Sequence, residues 1–170
     1  NIGKITGEVD KQYVEFLLKT NGASILDYCF LGLKNHTLGV NVYDNMRELW
    51  QSDCLLTFRF WGIVGTSSGE NFGYIDEKDS SGNHYIGYYS ANEPEHVYLV
   101  ASSFNIFMDK FLKQVEASLA IDKNAIYIDN DWFLNPQKLI IDDIEMAQYL
   151  QSQETSEYNL LDRKFDKRKY

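Results

Sequence analysis

Apolar and polar positions change period several times along the chain. Val9, Tyr13, Phe16 and Leu17 follow helical spacing, Asp10 stands where an N-cap belongs, and Asn21-Gly22 supplies a left-handed stop. A helix over about 11–20 is therefore expected, with Glu15 and Lys19 one turn apart as an ion pair. Ile25 to Leu33 is an apolar run around Tyr28 and Phe30 and predicts a buried strand. Asn41 to Trp50 predicts a short helix with Val42, Met46, Leu49 and Trp50 turned inward. The period then drops to two. Leu55 to Val64, with Leu56, Phe58 and Phe60 in near alternation, predicts a strand, as do Phe72 to Asp76, His84 to Ser90 and Val97 to Ala101. Gly65 to Glu70 and Lys78 to Asn83 are polar, flexible connections, the second able to close a hairpin. Ser102 or Ser103 then caps a helix over 103–119, whose Phe104, Phe107, Met108, Phe111, Leu112, Val115 and Leu119 make one apolar stripe.

Strands joined by short polar turns pair with their neighbours, whereas parallel pairing needs long crossovers. The order predicts a single α+β domain over 1–170, a mostly antiparallel sheet with helices packed on one face. Beyond it, Ala125 to Ile128 is expected as another strand and Asp142 or Asp143 to Gln151 as another helix. The charged end beyond Leu161 is expected to fray.

Composition narrows the partners more than the fold. With 170 residues, 44% hydrophobic and 15% aromatic, the chain can bury a sizeable core. A net charge of −9, from 25 acids and 16 bases, disfavours direct contact with nucleic acid or an anionic membrane and favours basic proteins. Its distribution is uneven: −5 over 70–100, −6 over 121–157, and +3 over 162–170. No apolar run approaches the roughly 20 residues of a spanning helix, and Asn1 to Asp10 lacks the order of a signal peptide. Cys29 and Cys54, each among large apolar residues, are too few for a disulfide framework, so a reducing, cytoplasmic setting is expected.

Catalytic chemistry finds little support. His36, His84 and His96 lie at no zinc-ligand spacing. Gly65-Thr-Ser-Ser-Gly69 matches the nucleophile-elbow pattern, but the residues after Gly69 read as strand where an elbow needs a helix. Glu70 stands where a phosphate loop would place its lysine. Asp129-Asn-Asp131 begins like a calcium loop and does not continue as one. Asp142, Asp143 and Glu145 suit a helix N-terminus better than an acid/base couple. No catalytic residue, metal or cofactor is therefore expected, and a small serine hydrolase built on Ser67 is the weakest of the readings.

The order of segments is informative. Tyr13-x-x-Phe16-Leu17-Leu18-x-x-Asn21-Gly22, a Gly-rich approach to a strand over Gly65 to Gly73, and Val97-Tyr98-Leu99-Val100-Ala101-Ser102-Ser103-Phe104-x-x-Phe107 together resemble the Smi/Knr-type domain of the SUKH superfamily over about residues 9–113. The chain departs from that pattern in having Val9-Asp10 where a proline usually precedes the first helix, and 121–170 lie outside it as a variable C-terminal extension. The resemblance implies a non-catalytic protein-binding module, similar in bacteria to immunity proteins that neutralise a cognate polymorphic toxin, often a nuclease. Eukaryotic members resemble signalling or cell-wall regulators, and the alternative it implies is a regulatory or scaffold protein of the Smi/Knr type that binds a housekeeping partner.

Charge and aromatic residues supply a candidate binding surface. Asp76, Glu77 and Asp79 fall at a hairpin turn, Glu93 and Glu95 on the next connection, and Asp129 and Asp131 beside Trp132, while Tyr88 and Tyr89 lie on the strand between. If the loops meet at one edge of the sheet, they form an acidic rim around aromatic anchors, suited to a basic toxin.

Overall fold

The computed structural model describes residues 10–34, 41–51, 60–78, 82–92, 96–128, 133, 138, 141–152 and 162–164. The first helix, α1 (Lys11–Thr20), begins at Asp10, whose carboxylate accepts from the Gln12 and Tyr13 amides at 2.9 and 3.4 Å. It ends at Asn21, with φ at 48°. The Asn21 Oδ1 then accepts from the Leu33 amide at 3.0 Å, tying the helix exit to chain twelve residues on. Gly22 follows at φ 101°, where a Cβ would sit 2.5 Å from the Phe30 carbonyl, so only glycine lets α1 lie this close to the sheet.

The run over 25–33 is not one strand. It folds as a hairpin, β1 (Ala23–Ile25) and β2 (Tyr28–Phe30), turned by Leu26 at φ 56° and Asp27. An apolar residue in the left-handed region gives no sequence signal of a turn. Helix α2 (Val42–Gln51) is capped by Asn41, whose Oδ1 accepts from the Tyr43 and Asp44 amides. The next strands are β3 (Trp61–Thr66), β4 (Glu70–Lys78), β5 (His84–Ser90) and β6 (His96–Ala101). β3 ends two residues later than expected; the strand expected from Leu55 has its first part, 55–59, outside the described residues. Ser103 caps α3 (Phe104–Ile121), and α4 (Ile144–Ser152) follows.

Two expectations at the C-terminal end fail. Residues 125–128 are irregular, with the Ala125 amide bonded back to the Asp122 carbonyl at 3.0 Å, so local turn geometry displaces a strand. Asp162–Lys164, expected to fray, instead forms β7 against β6. Its Asp-Arg-Lys sequence has little strand propensity; pairing with an open sheet edge overrides it.

All pairings are antiparallel, and the seven strands lie in chain order, β1 to β7, in one sheet, giving the α+β arrangement that the pattern implied. α1 and α3 pack on one face through aromatic rings. Tyr13 lies 5.8 Å from Tyr74 and 5.3 Å from Phe104. Phe107 lies 5.2 Å from Phe72, and Phe111 5.1 Å from Tyr28 and 5.3 Å from Phe30. Every residue of β3 and β5 is buried, so there the opposite face is covered too, in part by Phe60 at 6.1 Å from Tyr89. Cys29 is buried in β2 and is not in a disulfide; Cys54 lies outside the described residues.

A buried ion pair fastens α4 to this core. Asp143, fully buried, accepts from the Lys110 Nζ at 3.1 Å, the Ser102 amide at 2.9 Å and the Met146 amide at 3.1 Å. Lys110 also donates to the Val100 carbonyl at 3.1 Å. One carboxylate thus caps α4 and closes the junction between β6 and α3.

Candidate functional site

Strands that alternate in direction deliver alternate turns to the same end of the sheet. The β1–β2 turn at Leu26-Asp27, the β3–β4 turn at 67–69 and the connection from Ser90 to His96 lie at one end; the connection from Lys78 to His84 lies at the other. At the first end a polar cluster forms. The Tyr88 hydroxyl donates to Glu70 Oε1 at 2.8 Å. The Glu70 amide donates to the Thr66 Oγ1 at 3.2 Å, and that hydroxyl meets Ser68 Oγ at 2.9 Å. Gly69, at φ 85°, lets the chain reverse into β4.

Asp27 stands close enough for its charge and that of Glu70 to act on each other. Burial, chiefly, and then Glu70 push the Asp27 carboxyl above the usual carboxylate range, although a hydrogen bond to its own backbone opposes them. Its Oδ1 is buried without a hydrogen-bond partner. Tyr28 is likewise held protonated by burial and by the charges of Asp27 and Glu70. Among the described residues, no basic side chain bonds to Asp27 or Glu70, and a cation placed there would oppose the part of both shifts that their charges cause.

Phe133 extends the cluster, stacking on Tyr88 with ring centroids 4.4 Å apart and meeting Phe72 at 5.5 Å. Signals for this end existed in the sequence: Asp27 and Glu70 each border a turn. Periodicity alone absorbs Asp27 into a continuous strand, and Glu70 reads only as the end of a polar loop that lacks a phosphate-binding lysine.

Of the expected rim, only Asp76, Glu77, Tyr88 and Tyr89 are among the described residues. β5 is seven residues long, so the ends of the sheet it joins stand about 20 Å apart. Asp76 and Glu77 lie near the end of β4, at the end of the sheet away from Ser90. Asp79, Glu93, Glu95, Asp129, Asp131 and Trp132 lie outside the described residues. Tyr88 and Tyr89 cannot be exposed anchors: they are 7% and 1% exposed, one beneath Phe133, the other beside Phe60, because β5 is covered on both faces.

The Gly65–Gly69 turn joins strand to strand, so it lacks the elbow geometry that would present Ser67 to a substrate. His84 is buried at the opposite end of β5, its Nδ1 2.6 Å from the Ile75 carbonyl; His36 and the His96 side chain lie outside the described residues. Among the described residues no group of three or more His, Cys, Asp or Glu could hold a metal ion, and no helix is long and apolar enough to cross a membrane.

The model of the SMI1 / KNR4 family (SUKH-1) matches residues 7–110, more than half of the chain. No match is found among curated proteins or among solved structures.

Proposed function

The chain belongs to the SMI1 / KNR4 family (SUKH-1), and from that premise we propose that it is a non-catalytic immunity protein, which neutralises a basic protein toxin such as a nuclease by docking the Glu70 end of its sheet over the toxin's phosphate-binding site. At the coarser level the family supports a protein-binding module or toxin-immunity role. The carrying observation is the pair of carboxylates, Asp27 and Glu70, at one end of the sheet without a basic side chain bonded to either among the described residues. Glu93 and Glu95 follow Ser90 in the sequence, and Asp129, Asp131 and Trp132 precede Phe133, whose ring packs on Tyr88. A nuclease must attract phosphate, so its active site is positive; a carboxylate surface steers the encounter and then occupies the site.

Association with a basic toxin nuclease domain, followed by stopped-flow at several salt concentrations, tests this. Glu70→Lys/Glu93→Lys/Glu95→Lys should slow association on the order of tenfold at low salt and flatten its salt dependence. Asp76→Lys/Glu77→Lys, at the other end, should leave it nearly unchanged. Equal rates for the first triple variant and the parent across the salt range would overturn the proposal.

A further inference from the structure

α3 carries apolar side chains past the end of the sheet and leaves them uncovered. It starts where β6 ends, meets Phe72 through Phe107, and reaches Tyr28, beside Asp27, at Phe111. The ten residues from Leu112 to Ile121 take it about 15 Å further. Val115 is buried and Leu119 packs against the core, so these last turns stay fastened. At Asp122 the chain reverses. The Asp122 amide donates to the Ser118 carbonyl at 2.9 Å, the Asn124 amide to Asp122 Oδ1 at 2.9 Å, and the Ala125 amide to the Asp122 carbonyl at 3.0 Å. Such a turn sets the residues before and after it side by side. They are Ile121, Ile126 and Tyr127, 90%, 60% and 64% exposed, and Ile128, which follows, is buried again.

Scattered exposed apolar residues are ordinary, but three grouped on one hydrogen-bonded turn mark a contact surface. The charge around them is negative. Glu116 and Asp122 stand against Lys123 alone between Glu116 and Tyr127, and Asp27 lies beside Tyr28 at the same end of the sheet. We infer that Ile121, Ile126 and Tyr127 are the apolar anchors of a docking surface that fits a protein presenting an apolar pocket rimmed by lysine or arginine. The surface stands on exposure, turn geometry and charge; that its occupant is a toxin rests on the function proposed above.

Carboxylates and anchors act on different rates. Charge acts at a distance and speeds the encounter, whereas apolar contact acts only after docking and slows release. A few well-packed side chains carry most of the energy of an interface, tyrosine prominent among them. At this end Tyr127 is open to a partner, where Tyr88 and Tyr89 are covered. Carboxylates alone would attract any basic protein; a pocket that must accept this turn makes the surface discriminate.

Ile121→Ser/Ile126→Ser/Tyr127→Ser in the full chain removes the anchors and should leave the melting temperature unchanged; should it melt lower, Tyr127→Ser alone gives the same signs with smaller changes. Two probes separate the outcomes. In amide NMR, an amphipathic helical peptide of leucine and lysine should shift Ile121, Ile126 and Tyr127 in the parent, and bind the variant on the order of tenfold more weakly. No binding, or shifts confined to other faces, would overturn the surface. From a basic toxin nuclease domain the variant should dissociate on the order of tenfold faster, with its association rate nearly unchanged. Equal dissociation of variant and parent would overturn the anchors and leave the immunity reading standing. A parent that binds the peptide at this turn but no nuclease would keep the surface and overturn that reading instead.

Discussion

Asp143→Ala should destabilise the protein by about 3–5 kcal/mol, because it removes one half of a buried ion pair and leaves the other half in place. The Lys110 ammonium, 8% exposed, would keep only the Val100 carbonyl at 3.1 Å. The Ser102 amide, 1% exposed, would lose its acceptor, which accounts for about 1–3 kcal/mol of the total. Loss of the cap on the Met146 amide adds about 1 kcal/mol. Burial already lowers the Lys110 pKa below its ordinary value, with Asp143 opposing that shift, so the variant should release the lysine proton more readily. The pair as a whole is a different matter. Lys110→Met/Asp143→Asn has similar volume, keeps an acceptor for Ser102, and should lie within about 1–2 kcal/mol of the parent. Against the loss of about 3–5 kcal/mol when Asp143 alone is removed, the double change should be the milder. Equilibrium urea unfolding followed by circular dichroism measures it, as a lower midpoint at constant slope. A reduced slope would show α4 detaching alone, and a loss below about 1 kcal/mol would refute the reasoning, because that is what a solvent-screened pair costs.

Phe107→Ala should cost about 3–5 kcal/mol, since the ring is fully buried against Phe72 and Phe111; an unchanged melting temperature would mean that α3 presents its other side. Burial holds the hydroxyls of Tyr13, Tyr28 and Tyr74 above the ordinary phenol value of about 10, so the native state keeps protons that the unfolded chain releases. Stability from these groups is fully present below about pH 10 and is lost as pH rises beyond it. A tyrosinate absorbance titration should show phenols that ionise only on unfolding; ionisation of all 12 tyrosines in one step, with the fold intact, would refute this.

Local rules carried the sequence reading wherever one residue decides its own geometry. Asp10 and Ser103 cap the helices they were expected to cap, Asn21-Gly22 ends α1, and His84–Ser90 is a strand over those residues. They failed where distant chain decides. Leu26 turns a hairpin because β2 pairs with β3, and Asp162–Lys164 is a strand because β6 offers it an edge. Asp143 was legible as a helix-start acid, but its partner Lys110 lies 33 residues away and no spacing rule reaches it. The expected acidic rim groups connections from both sides of one strand. Successive hairpins point in opposite directions, so the connections on either side of His84–Ser90 belong at opposite ends of the sheet. Tyr88 and Tyr89 misled because alternation reports which face a residue takes, and here both faces are covered.

The chain-ordered sheet also governs how the molecule is made. Each strand needs only its predecessor, so pairing can keep pace with synthesis on the ribosome and never waits for a segment still to come. Most ladders close across short connections, at small entropic cost; β2 to β3, across α2, is the longest gap before β6. Until Asp162–Lys164 emerges, the nascent chain therefore presents β6 as a finished strand with one open side. That edge is the place where two incomplete chains would join, and β7, three residues long, is what closes it.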